Sequence, residues 1–333
     1  MPREVAANRR GLLMLLAGGL VAATGPVDAA ENTPYADAIG KLADVIEADY
    51  VFPDQGRECA QMLRRKLAVG DYAGITDAAA ISDRLTADLR DLHHDLHFRV
   101  RVSGAAPTGS SAVNAAMPPM EGAAWLADGV AYIRFNRFEG SPETVATTRR
   151  FVQEHAGAKA LIIDGRRNHG GGGDEINVML PYLFATRTVV MDIELSRAVA
   201  AQMGFTADQF FHETPSAPGR IRFEQVVEPE TSEHRLFNAK VFYLISSDTG
   251  SAGEALAFIL KTTGRGTLVG EHTRGMDHFG RVVPISQGLE AFVPVGRSFD
   301  PKTGKNWEGG GVIPDVAVPS DTALAVATKL AQA

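Results

Sequence analysis

The run Val241-Phe242-Tyr243-Leu244-Ile245 is followed by Asp248-Thr249-Gly250-Ser251-Ala252-Gly253-Glu254, and then by apolar residues at Leu256, Phe258, Ile259 and Leu260. The first block reads as a buried strand and the last as an amphipathic helix. A buried strand feeding directly into a helix is the unit from which α/β cores are assembled, so this one junction restricts the fold more than any composition value. It also puts Ser251 at a strand-to-helix turn, where a hydroxyl can project from the sheet edge beside unpaired helix N–H groups. An acyl-transfer nucleophile suits that position. The same residues also spell a capping box, with Glu254 three residues after Ser251.

The same alternation recurs elsewhere. Residues from about 35 to 95 read as helical, with Ile39, Leu42, Ile46 and Tyr50 on one stripe. Pro53 opens a second helix carrying Met62, Leu63 and Leu67, and a third runs from Asp77 to Leu92. The period then changes to two over His97–Val102. Gly104–Pro119 is rich in Gly, Ala, Ser and Pro and reads as a loop. Beyond it come strands at Val130–Phe135 and Ala160–Asp164, helices from Pro142 to His155 and from Glu175 to Leu183, and the strand 240–245. The division expected is a leader over 1–29, a helical domain over 30–103, a linker over 104–121 and an α/β core over 122–333. Ser196–Lys240 is polar and irregular with Phe205, Phe210 and Phe211 embedded, which suits a lid or a structural excursion equally.

Arg3, Arg9 and Arg10 precede an apolar stretch from Gly11 to Thr24, and Val27-Asp28-Ala29 supplies a small-residue cleavage site. That stretch is too short to span a bilayer, so it reads as an export signal, with Arg9-Arg10 suiting the twin-arginine type. An exported protein, periplasmic or extracellular, is expected, with no membrane span in the mature chain. A net charge of -7 argues against a nucleic-acid partner, since phosphate binding needs a basic face. The single cysteine, Cys59, excludes an intrachain disulfide and a cysteine-based zinc site.

Three further segments carry the residue types acyl transfer needs. They are His93-His94-Asp95-Leu96-His97, the glycine loop Asp164-Gly165-Arg166-Arg167-Asn168-His169-Gly170-Gly171, and Asn306-Trp307-Glu308-Gly309 with Val312-Ile313-Pro314-Asp315. The glycine run lacks a following Gly-Lys-Ser/Thr and the G-x-G-x-x-G spacing, so it is no nucleotide loop. A zinc site on His93, His94 and His97 lacks the H-E-x-x-H glutamate. No cofactor and no metal is expected.

In this order the motifs resemble those of the C-terminal processing (tail-specific) serine peptidase family, with Gly270-Glu271-x-Thr273-x-Gly275 as a further match. The early helices, including Ala48-Asp49-Tyr50-Val51-Phe52-Pro53, are similar to modules of interphotoreceptor retinoid-binding protein. The resemblance covers the chain from about residue 40 to its end. It implies a crotonase-like α/β core of strand-strand-helix units behind a small helical domain. No PDZ-like insertion is evident. The better-known branch of the family uses a serine–lysine dyad, but Met276 stands where that lysine would be, and a thioether accepts no proton. The tricorn-like and retinoid-binding-protein-like branch implies Ser251 as nucleophile, His97 as general base and Glu308 orienting His97. In tricorn a serine precedes that histidine; here the residue is Leu96. Gly170, Gly171 and Ala252 would form the oxyanion hole, with His94, Asp95, Arg166 and Asn168 in support. The substrate class implied is a peptide or unstructured protein. Two other functions stay open: an inactive module binding a hydrophobic ligand such as a retinoid or lipid, and a metal-dependent hydrolase. The oligomeric state is not legible.

Overall fold

The computed structural model describes residues 33–105, 116–127, 129–231 and 236–333. The expected leader, and most of the glycine- and alanine-rich loop, lie outside the described residues.

Three helices come first: α1 (Ala36–Asp49), α2 (Pro53–Ala68) and α3 (Ala78–His93). Ile39, Leu42 and Ile46 of α1 are fully buried, as their spacing requires. Pro53 occupies the first turn of α2, where its missing N–H costs nothing, and the Asp77 side chain caps α3 by accepting from Ala80 N at 2.8 Å. The chain then forms β1 (Arg99–Val102), β2 (Met120–Ala127), β3 (Val130–Phe135), α4 (Pro142–Glu154), β4 (Ala160–Asp164), α5 (Asp174–Leu183), β5 (Thr188–Ser196), α6 (Arg197–Met203), β6 (Phe211–Thr214) and β7 (Arg220–Val227). It ends with β8 (Lys240–Ile245), α7 (Ala252–Thr262), β9 (Thr267–Gly270), β10 (Phe279–Ser286), β11 (Leu289–Phe299), β12 (Val316–Ala317) and α8 (Ala323–Gln332). β2 begins inside the stretch read as linker.

Two six-stranded sheets organise the core. In the mainly parallel one, ordered β12-β9-β8-β4-β3-β2, only the β2–β3 pair is antiparallel. Its central strand β4 is buried throughout, the pattern of a sheet covered on both faces. Side chains alternate as the pleat demands: Ala160 and Ile162 pack with Ala323 and Ala327 of α8, whereas Leu161 and Ile163 join the main core.

The other sheet is antiparallel. Its long strand β11 pairs with β10 along one edge, and with β1 and then β5 along the other; β7 and β6 continue beyond β5. The amino-terminal helices share the main core with this sheet, and Val51 N–H donates to Pro294 O of β11 at 3.1 Å. Residues 196–240 are therefore not a simple lid, because β7 is an internal strand with Ile221, Phe223 and Gln225 buried on one face. Among the described residues no helix is long and apolar enough to cross a membrane.

Candidate active site

Paired parallel strands place two loops side by side. Asp164 at the end of β4 lies opposite Leu244 of β8, so the glycine loop and the Ser251 turn leave the same sheet edge as neighbours. Three hydrogen bonds join them: Thr249 Oγ1 donates to Gly165 O at 2.8 Å, Gly250 N to Asn168 O at 2.9 Å, and Ser246 Oγ to Arg166 O at 2.6 Å. Arg166 is anchored in turn, donating from Nε and Nη2 to the buried Asp164 carboxylate at 2.9 and 2.7 Å and from Nη1 to Ser320 O at 2.6 Å.

Ser251 has φ 51° and ψ −121°, a left-handed backbone that strains a residue with a Cβ. What holds it there is Glu254. This fully buried carboxylate accepts from Ser251 N at 2.8 Å, Met276 N at 2.9 Å, Gly275 N at 2.6 Å and Thr273 Oγ1 at 2.6 Å. Glu254 thus closes the carboxylate half of the capping box while tying α7 to the segment after β9. Burial raises its pKa, and these four donors work against that rise.

The amide hydrogens around Ser251 are not equivalent. Gly170 N donates to Asn168 Oδ1 at 2.9 Å, so this member of the expected oxyanion hole is already engaged. Gly171 N and Ala252 N have no acceptor among the described residues. The glycines are needed here. A Cβ on Gly170 would come 2.7 Å from Ser251 Cβ, and one on Gly171, at φ 127°, would collide with the Phe138 carbonyl.

The antiparallel sheet supplies the imidazole. His97, at the entry to β1, is 9% exposed, stacks on Phe292 of β11 and lies with Nε2 3.5 Å from Ser251 Oγ. That separation is at the outer limit of a hydrogen bond, as free sites often show. Burial lowers the His97 pKa to about 4; Asp95 opposes this, while His278, Arg90 and Arg99 push the same way as burial. The ring is therefore neutral at neutral pH and able to accept a proton.

Behind His97 the carboxylates differ from the simple expectation. Asp95 Oδ1 is 3.8 Å from His97 Nδ1 and accepts His97 N–H at 2.9 Å. Asp95 Oδ2 accepts from Tyr50 Oη at 3.1 Å and lies 2.7 Å from His278 Nδ1. Burial raises the Asp95 pKa, and the His278 partner reverses that and holds it below the carboxylate range. His278 is itself raised against its burial by Asp95. Glu308 Oε2 is 3.8 Å from His278 Nδ1 and accepts from Asp277 N at 2.7 Å and His278 N at 3.3 Å. Glu308 is not within ion-pair distance of His97. The structure thus brings Ser251 and His97 together, and brings Glu308 into the same cluster one residue removed, behind Asp95 and His278. His94 is the exposed left-handed cap of α3 and takes no part.

His278 and Tyr50 were not recognisable as site residues in the sequence. A lone histidine at the head of an alternating strand gives no signal, and Tyr50 reads as one more apolar stripe position. The ligand atoms of Asp95, His278 and Glu308 lie within 4.8 Å of one another, making them the described group best able to hold a metal. However, 2.7 Å between Asp95 and His278 is a direct hydrogen-bonded ion pair, tighter than two ligands of one zinc with bonds of about 2.0–2.2 Å would sit.

Two cavities meet at Ser251. One is a cleft of about 850 Å³ bordered by Leu96, His97, Arg99, Arg274 and Met276. The other, of about 210 Å³, is mainly apolar and lined by Ile176, Met191, Phe205, Phe211 and Trp307 among others. Two of the three phenylalanines embedded in 196–240 thus face the site.

With this geometry in view, comparison with known proteins is decisive about kinship. The sequence profile of peptidase family S41 matches residues 129–318. This chain belongs to peptidase family S41. Residues 33–124 match the profile of the family's N-terminal domain as found in eukaryotic IRBP. Among solved structures, a candidate peptidase from Parabacteroides merdae superposes with a TM-score of 0.62 at 15% identity, covering 89% of this chain and 96% of that one. A lipoprotein from Streptococcus agalactiae gives 0.55 at 12% identity, covering 97% and 99%. The photosystem II D1 C-terminal processing protease is 26% identical over 68% of this S41 chain, with a TM-score of 0.42; this chain spans about half of it, 48% of its length.

Proposed function

We propose that this S41 chain is an exported serine-type peptidase that cleaves peptides or unstructured protein segments through an acyl-enzyme. The observation that carries the reading is the 3.5 Å approach of His97 Nε2 to Ser251 Oγ on a strained strand-to-helix turn. Neutral His97 takes the hydroxyl proton as Ser251 attacks the scissile carbonyl, and returns it to the leaving amine. The free N–H groups of Gly171 and Ala252 face the developing oxyanion; one such donor is commonly worth about 3–4 kcal/mol. As His97 becomes charged, Asp95 stabilises it directly, and Glu308 adds negative charge through the His278 pair. Among the described residues no lysine borders the cleft, which suits the histidine mechanism over a serine–lysine dyad. The apolar pocket beside Ser251 receives a substrate side chain.

Hydrolysis of an unstructured peptide tests this. Ser251→Ala and His97→Ala should each lower kcat by about 10⁴-fold or more, with the fold retained. Undiminished turnover in Ser251→Ala would remove the proposal. The apolar pocket also motivates the binding-module alternative. A wild-type protein that hydrolyses nothing, yet melts at higher temperature with a retinoid or fatty acid, would favour that alternative.

A further inference from the structure

The cleft is positively charged although the chain carries a net charge of -7. Arg99, Arg101, Arg167 and Arg274 border it, and Asp248 is the one carboxylate that does so among the described residues. On β1, Arg99 and Arg101 flank the buried Val100, so the pleat turns both towards the same face. Arg101 is paired with Glu290 of β11 at 2.5 Å and Arg274 with Asp248 at 3.4 Å. Arg99 and Arg167 have no acidic partner among the described residues, and both are exposed. Arg167 also borders a neighbouring polar cavity containing Asp248, Glu271 and Asp321 and pairs with none of them. Arg90, which is partly offset by Asp95, adds a further cation nearby, donating to the Phe98 and Leu96 carbonyls at 2.8 and 2.7 Å. At the His97 ring, Arg90 and Arg99 push the pKa down as burial does, with smaller effects than burial and against Asp95, which raises it. A cleft lined by one sign of charge concentrates ligands of the other, and guanidinium forks match carboxylates in geometry.

We infer that the cleft selects substrate segments bearing acidic side chains, which Arg99 and Arg167 engage while an apolar side chain enters the pocket beside Ser251. The inference rests on the peptidase reading for its biological sense, but it is testable without turnover. The full chain carrying Ser251→Ala is titrated against fluorescein-labelled peptides with capped ends, identical except for Glu, Gln or Lys beside one apolar residue. Fluorescence anisotropy should show the Glu peptide binding about tenfold tighter than the Gln peptide at about 0.05 M salt, with the gap closing near 0.5 M. Adding Arg99→Glu and Arg167→Glu should invert the preference towards Lys. Equal affinity for the Glu and Gln peptides would overturn the inference, and that comparison stands even if the charge-reversed protein fails to fold. So would a Glu preference that survives charge reversal, or one that appears only when a free terminal carboxylate replaces the cap. Labelling of wild-type protein by a fluorophosphonate separates the two claims. Labelling without charge discrimination sinks this inference alone, whereas discrimination without labelling sinks the peptidase reading alone.

Discussion

His97 is poised by what surrounds it more than by what it touches. Burial strips the ring of its charge, so its pKa falls from the ordinary 6.5 to about 4. A protonated imidazole cannot accept the serine proton, so activity is lost as pH falls through that value. The acidic limb of kcat/KM should therefore lie near 4–5, and a limb near 6.5 would show that the ring is more solvated than the structure has it. Asp95→Asn removes the carboxylate that faces both His97 and His278. It should lower kcat by about 10²–10⁴-fold and move the acidic limb lower still, since Asp95 raises His97. At this scale motif order singled out Ser251 and His97, which lie 3.5 Å apart in the fold. It was silent about the Asp95–His278 pair. Those residues are 183 positions apart, and only the meeting of the α3–β1 junction with the head of β10 unites them.

The strand-to-helix turn is held in a strained shape by bonds from elements far along the chain. Glu254 is the common acceptor of four donors in that turn and in the segment after β9. Glu254→Ala leaves those donors buried without a partner, each costing about 1–3 kcal/mol. Urea denaturation should show a loss of about 3 kcal/mol or more; a change within about 0.5 kcal/mol would mean that the turn keeps its geometry unaided. Gly171→Ala should abolish activity, because the added Cβ collides with the Phe138 carbonyl and displaces the loop. The capping box and the turn proposed to carry the nucleophile are one element here, so the cap does not argue against the proposal. In the mainly parallel sheet, β3, β4 and β8 were legible from their apolar runs, whereas β2, β9 and β12 were not. β7 was not: its alternation Arg220-Ile221-Arg222-Phe223 sits in a polar, loop-like context, and its antiparallel partners β5 and β6 carry equally mixed patterns.

Across the whole molecule, the proposed catalytic site depends on two sheets meeting. The parallel sheet carries Ser251 and the glycine loop, the antiparallel sheet carries His97, and Glu308 lies in the chain that returns from β11 to β12. The helical character of residues 36–93 was legible from their stripes, whereas their docking on β10 and β11 was not, because helix periodicity does not name the surface a helix will cover. The packing between these layers buries Asp277, raising its pKa from 3.8 to about 7. The folded chain then holds a proton that the unfolded chain releases at about pH 4. Its contribution to stability is complete below that value and is lost as pH rises through about 7. The raised His278 loses its contribution in the same direction, whereas the lowered Asp95 loses its own only on acidification. The lowered His97 opposes Asp277 and His278, since the unfolded chain takes up its proton as pH falls below about 6.5, so the variant isolates the Asp277 contribution: Asp277→Asn should raise the melting temperature at about pH 8 relative to that at about pH 5, compared with wild type. An unchanged difference in the variant would place the pH-sensitive group elsewhere.

The reaction of the intact protein with a fluorophosphonate, followed by peptide mapping, bears most directly on whether Ser251 is an activated nucleophile. One phosphonyl adduct is expected on Ser251 in the wild type, with none in Ser251→Ala and strongly slowed labelling in His97→Ala. An unlabelled wild type, or an adduct that persists in Ser251→Ala, would contradict the account.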